Sequence, residues 1–99
     1  MLNEYVAINK DKTAYQVIDG EAVVVNLEDS TFHVQNQVAT FIWELMDGKI
    51  TINEIVKGIC REFDVDPGTA ERDCLEFIRM LHDRDMVIFS SRPVDDNDT

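Results

Sequence analysis

The sequence has few basic residues and no long apolar run. Nine lysines and arginines stand against 20 acidic residues, which gives the 99-residue chain a formal net charge of −11. Because binding to a phosphate backbone depends on Lys and Arg, this balance argues against a nucleic-acid partner. No stretch approaches the roughly 20 apolar residues that a membrane helix needs, and residues 1–12 lack the pattern of a signal peptide. We therefore expect a cytoplasmic protein that does not enter a membrane.

Cysteine and histidine, which often carry chemistry, are also scarce. Cys60 and Cys74 are the only cysteines, and each falls in an apolar helical stripe, which predicts reduced core residues. His33 and His82 belong to different predicted elements and have no neighbour at metal-ligand spacing. A glycine-rich phosphate loop, a nucleophile elbow and a paired-histidine motif are all missing. The sequence therefore predicts a protein that is not an enzyme and holds no metal or cofactor.

The length and composition are those of one globular domain. Hydrophobic residues make up 44% and charged residues 29% of the chain, an ordinary composition for a folded protein. A chain of this size builds one core. We expect a single domain over residues 1–91 and a disordered acidic tail over residues 92–99.

The first half of the chain has the pattern of β-strands. Residues 14–18 and 22–27 are rich in β-branched side chains and flank Asp19-Gly20, a pair typical of a tight hairpin turn. A third strand, residues 31–35, follows a short polar turn. Three sequential strands joined by short turns predict an antiparallel meander.

Helical periodicity starts at Asn36, which can cap a first helix that Gly48 can end. Trp43 lies on the apolar face of this helix, which predicts a core position. Residues 51–54 have the form of a capping box and open a second helix with a regular apolar stripe.

A third helix is predicted to begin at Asp66-Pro67, with Asp as the cap and Pro in the first turn, and to run to about Asp83. Residues 86–89 can return to the sheet as an extended segment. The predicted fold class is therefore α+β, with a three-stranded antiparallel β-meander followed by three α-helices.

This order of elements, with its junction and a later acidic segment, resembles the PqqD family. The matching residues are Asn36, Ala39, Ile42, Trp43, Leu45, Asp47 and Gly48 at the junction, and Phe63, Asp64, Val65 and Asp66 further on. The likeness covers most of the chain. One departure is Gln35, where the family usually has Leu.

The resemblance implies a winged-helix-like fold that recognises the leader segment of ribosomally made, post-translationally modified peptides and does not catalyse. Family members hold the leader as a strand added along their third strand, in a groove bordered by the third helix. The implied partners are a precursor peptide and a modifying enzyme. In pyrroloquinoline quinone biosynthesis that enzyme is a radical S-adenosylmethionine protein, and this pathway is one candidate here.

Strand addition requires an exposed edge, whose unpaired N–H and C=O groups bond to a guest backbone. The docking strand is predicted to consist of Thr31, Phe32, His33, Val34 and Gln35. The alternative is that these residues form an edge strand with no guest.

On the third helix, a rotation of about 100° per residue places Leu75, Ile78 and His82 along one border of the buried stripe. Arg72 and Arg79 lie a step further round. We expect Leu75 and Ile78 to receive apolar leader side chains and the arginines to meet an acidic one. The alternative for the arginines is a solvated face on which Arg72 pairs with a glutamate one turn away.

Two other functions compete with peptide recognition. A winged-helix DNA-binding regulator would use residues 67–83 as its recognition helix, but these carry two arginines against four acidic residues. A structural or oligomerisation module would pair the exposed sheet edge with a copy of itself, giving a homodimer. If the same edge served both roles, dimerisation would compete with leader binding.

Overall fold

The computed structural model describes residues 2–93, with Phe32 described through its backbone alone. From residue 94 onward the expected tail lies outside the described residues. The strands are β1 (Tyr5–Ile8), β2 (Thr13–Ile18), β3 (Glu21–Asn26), β4 (Phe32–Val34), β5 (Asp47–Thr51) and β6 (Val87–Ser90). The helices are α1 (Gln37–Leu45), α2 (Ile52–Phe63) and α3 (Pro67–Asp83). The predicted α+β class, with a meander followed by three helices, is confirmed.

The meander consists of β2, β3 and β4, paired antiparallel in that order. Val24 of the central strand lies opposite Tyr15 on one side and opposite His33 on the other. Asp19 and Gly20 both have positive φ, 52° and 82°, as a two-residue turn that matches the strand twist requires. The turn chemistry of the sequence thus sets the register of the hairpin.

A second three-stranded sheet, in the order β5-β1-β6, was not expected from the sequence. The run at residues 86–89 does become a strand, but β6 pairs with β1 and does not return to the meander. Gly48 does not end α1, which stops at Leu45, where the Met46 N–H donates to the Trp43 C=O at 3.2 Å. Gly48 instead lies inside β5 with φ of 79°.

The predicted helix caps are confirmed. The Asn36 side chain accepts from the Ala39 N–H at 2.8 Å. Thr51 and Glu54 form both hydrogen bonds of a capping box, and the Asp66 carboxylate accepts from the Thr69 N–H at 3.2 Å. Each cap satisfies an N–H that has no partner within its helix.

A buried hydroxyl fastens α1 to the meander. Thr40 Oγ1 accepts from the Ala22 N–H at 3.0 Å and donates to the Gln35 C=O at 3.3 Å. Thr40 is 3% exposed, so no water competes for these groups. The hydroxyl completes the ladder between β3 and the end of β4, where the chain turns into α1.

The core lies between the helices and the two sheets, and Trp43 is fully buried in it, as predicted. The Tyr15 ring of β2 meets the Trp43 ring edge-on, with centroids 5.4 Å apart. Cys74 is buried, and burial raises the pKa of its thiol to about 12, so it stays a thiol at neutral pH. Cys60 is half-buried, and both cysteines are free. No helix within residues 2–93 is long and apolar enough to cross a membrane.

Candidate functional site

β4 is one edge of the meander, and only some of its backbone groups are used inside the sheet. The Asn26 N–H donates to the Thr31 C=O and the Gln35 N–H donates to the Ala22 C=O, both at 2.8 Å. Because bonded and non-bonded pairs alternate in an antiparallel ladder, His33 also directs its backbone groups toward β3. The N–H and C=O groups of residues 32 and 34 therefore face away from the sheet, where no other described strand pairs with them.

The side chains of β4 alternate between the two faces of the sheet. His33 shares the face of buried Val24 and is half-buried, while Val34 shares the opposite face with Val23 and is 60% exposed. The edge thus offers a guest one exposed apolar side chain and one imidazole on opposite faces.

The turn that leads into β4 is held by an aspartate. Asp29 Oδ1 accepts from the Thr31 hydroxyl at 2.7 Å and from the Thr31 N–H at 3.0 Å. These two bonds, the hydroxyl first, lower the pKa of the Asp29 carboxyl. Ser30 takes a positive φ of 60° between them. The exposed Thr31 therefore stabilises the turn that precedes β4.

The end of α3 reaches β4 through Arg84, a residue that the sequence did not single out. Its Nη1 atom lies 3.2 Å from His33 Nε2. A guanidinium can only donate, so Nε2 is the acceptor in this contact. Residues 33 and 84 are far apart in sequence, so only the tertiary fold could reveal this pair.

Three loops meet beside this contact and hold α3 against the meander. The Lys12 ammonium lies 2.9 Å from Glu28 Oε1 and 3.6 Å from Asp85 Oδ2. The hydrogen bond to Glu28 is the main cause that raises the pKa of Lys12. Asn9 adds a side-chain bond to the Asp85 C=O at 2.9 Å. The turn before β4 and the turn after α3 are therefore joined through one lysine.

The predicted wall residues of α3 have different surroundings. Ile78 has no exposed surface and is a core residue in this structure, so its expected role as a groove contact stays a prediction. Leu75 is half-buried against the core. The His82 ring stacks on Phe89 of β6, with centroids 4.4 Å apart and planes 10° apart. These side chains are thus directed to the core or to the second sheet.

The two helix arginines are exposed. Arg72 Nε lies 3.4 Å from Asp73 Oδ1, so its partner is the next residue and not a glutamate one turn away. Arg79 makes no ion pair or hydrogen bond with other described residues. Helical rotation predicts that Arg72 and Arg79 lie on one border of α3. Which border of the helix lies next to β4, as Arg84 does, depends on how the helix packs against the sheet.

The described residues do not form a candidate metal site. Within residues 2–93 no three His, Cys, Asp or Glu side chains converge as metal ligands would. The β4 edge offers backbone hydrogen-bonding groups, apolar surface at Val34 and a cationic side chain, Arg84, beside His33. Such an arrangement suits an extended polypeptide.

The chain is similar to a known protein family and to solved structures. The family model described as coenzyme PQQ synthesis protein D (PqqD) matches residues 21–87. The structure is similar to that of TbiB1 in complex with the TbiA(beta) leader peptide, with a TM-score of 0.73 and 33% identity over 82% of this chain and 93% of that one. It is also similar to lasso peptide synthetase B1 complexed with the leader peptide, with a TM-score of 0.71 and 19% identity over 84% of this chain and 96% of that one. No curated protein gives a significant match.

Proposed function

This chain belongs to the PqqD family, and from that membership we propose that it is a recognition element for the leader segment of a ribosomally made precursor peptide. Members of the family are non-catalytic peptide-binding proteins, and the residues described above include no nucleophile held by a base. TbiB1, which is 33% identical over most of both chains, was solved with a leader peptide. The protein binds its guest and leaves the chemistry to another enzyme.

We propose that the leader binds as a fourth strand of the meander, along β4. The observation that carries this proposal is the outward direction of the backbone groups of residues 32 and 34, at an edge whose middle residue, His33, contacts Arg84. A guest backbone satisfies those groups whatever its side chains. Affinity then comes from backbone pairing, and selectivity from the neighbouring side chains.

The guest's side chains would alternate between two environments. Those on the outer face lie beside Val34, where an apolar or β-branched residue gains from cross-strand contact. Those on the inner face lie beside His33 and Arg84, where the guanidinium can bond to a carboxylate or a backbone carbonyl. Leu75, His82, Arg72 and Arg79 remain proposed as a second wall further along α3.

The finer assignment concerns the partner enzyme and the pathway. We propose that the domain acts as a stand-alone element that presents the leader to a modifying enzyme, with a radical S-adenosylmethionine protein of pyrroloquinoline quinone biosynthesis as the candidate that its family name suggests. Lasso peptide synthetase B1 belongs to a different peptide pathway, so a lasso leader is the alternative guest.

Isothermal titration calorimetry tests the proposal. The probes are the leader half of the precursor encoded beside this gene and the TbiA(beta) leader peptide, with a random DNA duplex as the control. We expect saturable binding, micromolar or tighter, to at least one leader and none to the duplex. If neither leader binds and the duplex binds in a salt-sensitive way, the DNA-binding alternative is favoured.

A further inference from the structure

The meander has a second free edge, β2, and its hydrogen-bonding groups are as readily assigned as those of β4. The Leu27 N–H donates to the Lys12 C=O at 2.9 Å, and the register runs from there to the turn without a bulge. Alternation along the ladder then directs the backbone of Ala14, Gln16 and Ile18 toward β3. The N–H and C=O groups of Tyr15 and Val17 face outward, and no other strand among residues 2–93 covers them.

This edge lacks the features that usually keep edge strands from pairing. Natural edges carry charges, prolines or bulges, or are very short. β2 is six residues long and contains no charge and no proline. Positions 14–18 are all exposed, with Tyr15 at 47%, Val17 at 43% and Ile18 at 51%. The edge is thus uncharged although the chain has a net charge of −11.

We propose that β2 is a dimerisation edge, on which β2 of a second copy pairs antiparallel about a two-fold axis at Gln16. In that register Tyr15 and Val17 lie opposite Val17 and Tyr15 of the second copy and exchange their outward-facing hydrogen bonds. Each aromatic side chain then lies across from a β-branched one, a favourable cross-strand pair. The proposal does not depend on leader binding.

The side chains on the outer face fit the same register. Ile18 of the second copy lies opposite Ala14, at a shallow cavity of about 230 Å³ that Ala14, Gln16, Val23 and Val25 help to line. An isoleucine side chain would fill apolar space there, and the two-fold axis repeats the contact with the copies exchanged. The edge is thus complementary to itself, as an isologous interface must be.

Charges at the ends of the strand do not oppose this register. Asp19 falls opposite Thr13 of the second copy and diagonal to its Lys12, so no two like charges face each other. Repulsion between two chains of −11 still acts at longer range. The dimer should therefore tighten with salt, whereas an edge occupied by an oppositely charged partner would bind more weakly as salt is added.

The joined sheet would have six strands, β4-β3-β2 followed by β2-β3-β4 of the second copy. Both β4 edges then lie at the outer ends of the joined sheet. Two leaders could bind at once, and dimerisation would not compete with leader binding.

Sedimentation-velocity ultracentrifugation of the full chain tests this inference. We expect a concentration-dependent monomer–dimer equilibrium that shifts toward dimer between about 0.1 M and about 1 M NaCl, as the Debye length falls from about 10 to about 3 Å. Val17→Pro removes an outward donor but no bond to β3. Each dimer loses two hydrogen bonds, each worth roughly a factor of five, so the dissociation constant should rise about 25-fold.

Val34→Pro is the matched control, since it also removes one outward-facing N–H, but on the opposite edge, and should leave the dimer intact. Val17→Lys is the second variant, in case the proline perturbs folding. It reduces the size of the net charge from −11 to −10, so added repulsion between the chains cannot explain a loss of dimer. A wild-type chain that stays monomeric at both salt concentrations overturns the inference. So does a dimer that survives both Val17 variants or dissociates with Val34→Pro.

Discussion

The two edges of the meander differ in almost every property that governs strand pairing. β4 is three residues long and follows a turn held by Asp29. Its middle residue, His33, contacts Arg84, and Thr40 bonds to Gln35 just after its end. β2 is six residues long and largely exposed, and its one described aromatic neighbour is Trp43 beneath Tyr15. Side chains from neighbouring elements thus contact the shorter edge, β4, whereas the longer edge, β2, is largely exposed.

The difference shows how one sheet can serve two kinds of partner. A short edge offers few backbone hydrogen bonds for affinity, so the neighbouring side chains decide which guest is preferred. A long open edge offers more backbone bonds and little selection, except through self-complementarity. On this view β4 suits a specific leader, and β2 suits a second copy of the same chain.

The largest effect is expected at Thr40, because it supports β4 and not β2. Thr40→Val leaves the Ala22 N–H and the Gln35 C=O buried without a partner, which costs about 1 to 3 kcal/mol each. The free energy of unfolding, measured by urea titration, should fall by roughly 2 to 6 kcal/mol. Thr40→Ser keeps the hydroxyl and should recover most of the loss. A wild-type stability in Thr40→Val would show that the hydroxyl does not join the two strands.

A pair of proline variants on β4 separates the guest's hydrogen bonds from those of the sheet. Val34→Pro removes an outward N–H, so leader affinity should fall at least about fivefold, the value of one backbone hydrogen bond, while the melting temperature changes little. His33→Pro removes an N–H that faces β3, so it should lower both stability and affinity. Calorimetry and thermal circular dichroism measure the two quantities. Retention of leader affinity by a folded Val34→Pro protein would refute strand addition on β4.

Charge-matched arginine variants decide which border of α3 faces the guest. Arg84→Ala frees the His33 ring and should weaken leader binding by about fivefold, the equivalent of roughly one ordinary hydrogen bond. Arg79→Ala and Arg72→Ala lose the same charge further along the helix. If these two weaken binding and Arg84→Ala does not, the border predicted from helical rotation is the correct one.

The smallest effect is expected from acidification of the turn before β4. The folded pKa of Asp29 is lowered, so its stabilising contribution is present above the unfolded pKa and is lost as pH falls through the folded pKa. Amide exchange at Thr31 should therefore quicken at acidic pH, beyond the intrinsic trend, in the wild type. Asp29→Asn should remove that pH dependence. An Asp29→Asn protein with the wild-type pH profile would assign the effect to another carboxylate.

Much of the fold could be predicted because its signals are local. Asp19-Gly20 defines a hairpin turn, and Asn36, Thr51 and Asp66 cap their helices through atoms within three residues. The second sheet could not be predicted in the same way. β1 is too short to show alternation, β5 contains a glycine at positive φ, and their pairing joins residues 40 or more positions apart.

The candidate site was predictable in part for the same reason. The edge character of β4 follows from the order of strands, and the resemblance to the family assigned a role to it. Which border of α3 approaches β4 depends on helix docking, which brings Arg84 to His33 and buries Ile78. No periodicity along α3 encodes that choice, since both borders flank the same apolar stripe.

Hydrogen exchange of individual amides, measured by NMR with and without the leader, tests the central claim most directly. Addition of a strand to β4 should slow exchange at the amides of Phe32 and Val34, whose N–H groups face outward in the free protein. Tyr15 and Val17, which face outward on the opposite edge, should show no leader-dependent change. Protection at Tyr15 and Val17 instead, or at neither pair while the leader is bound, would contradict the account.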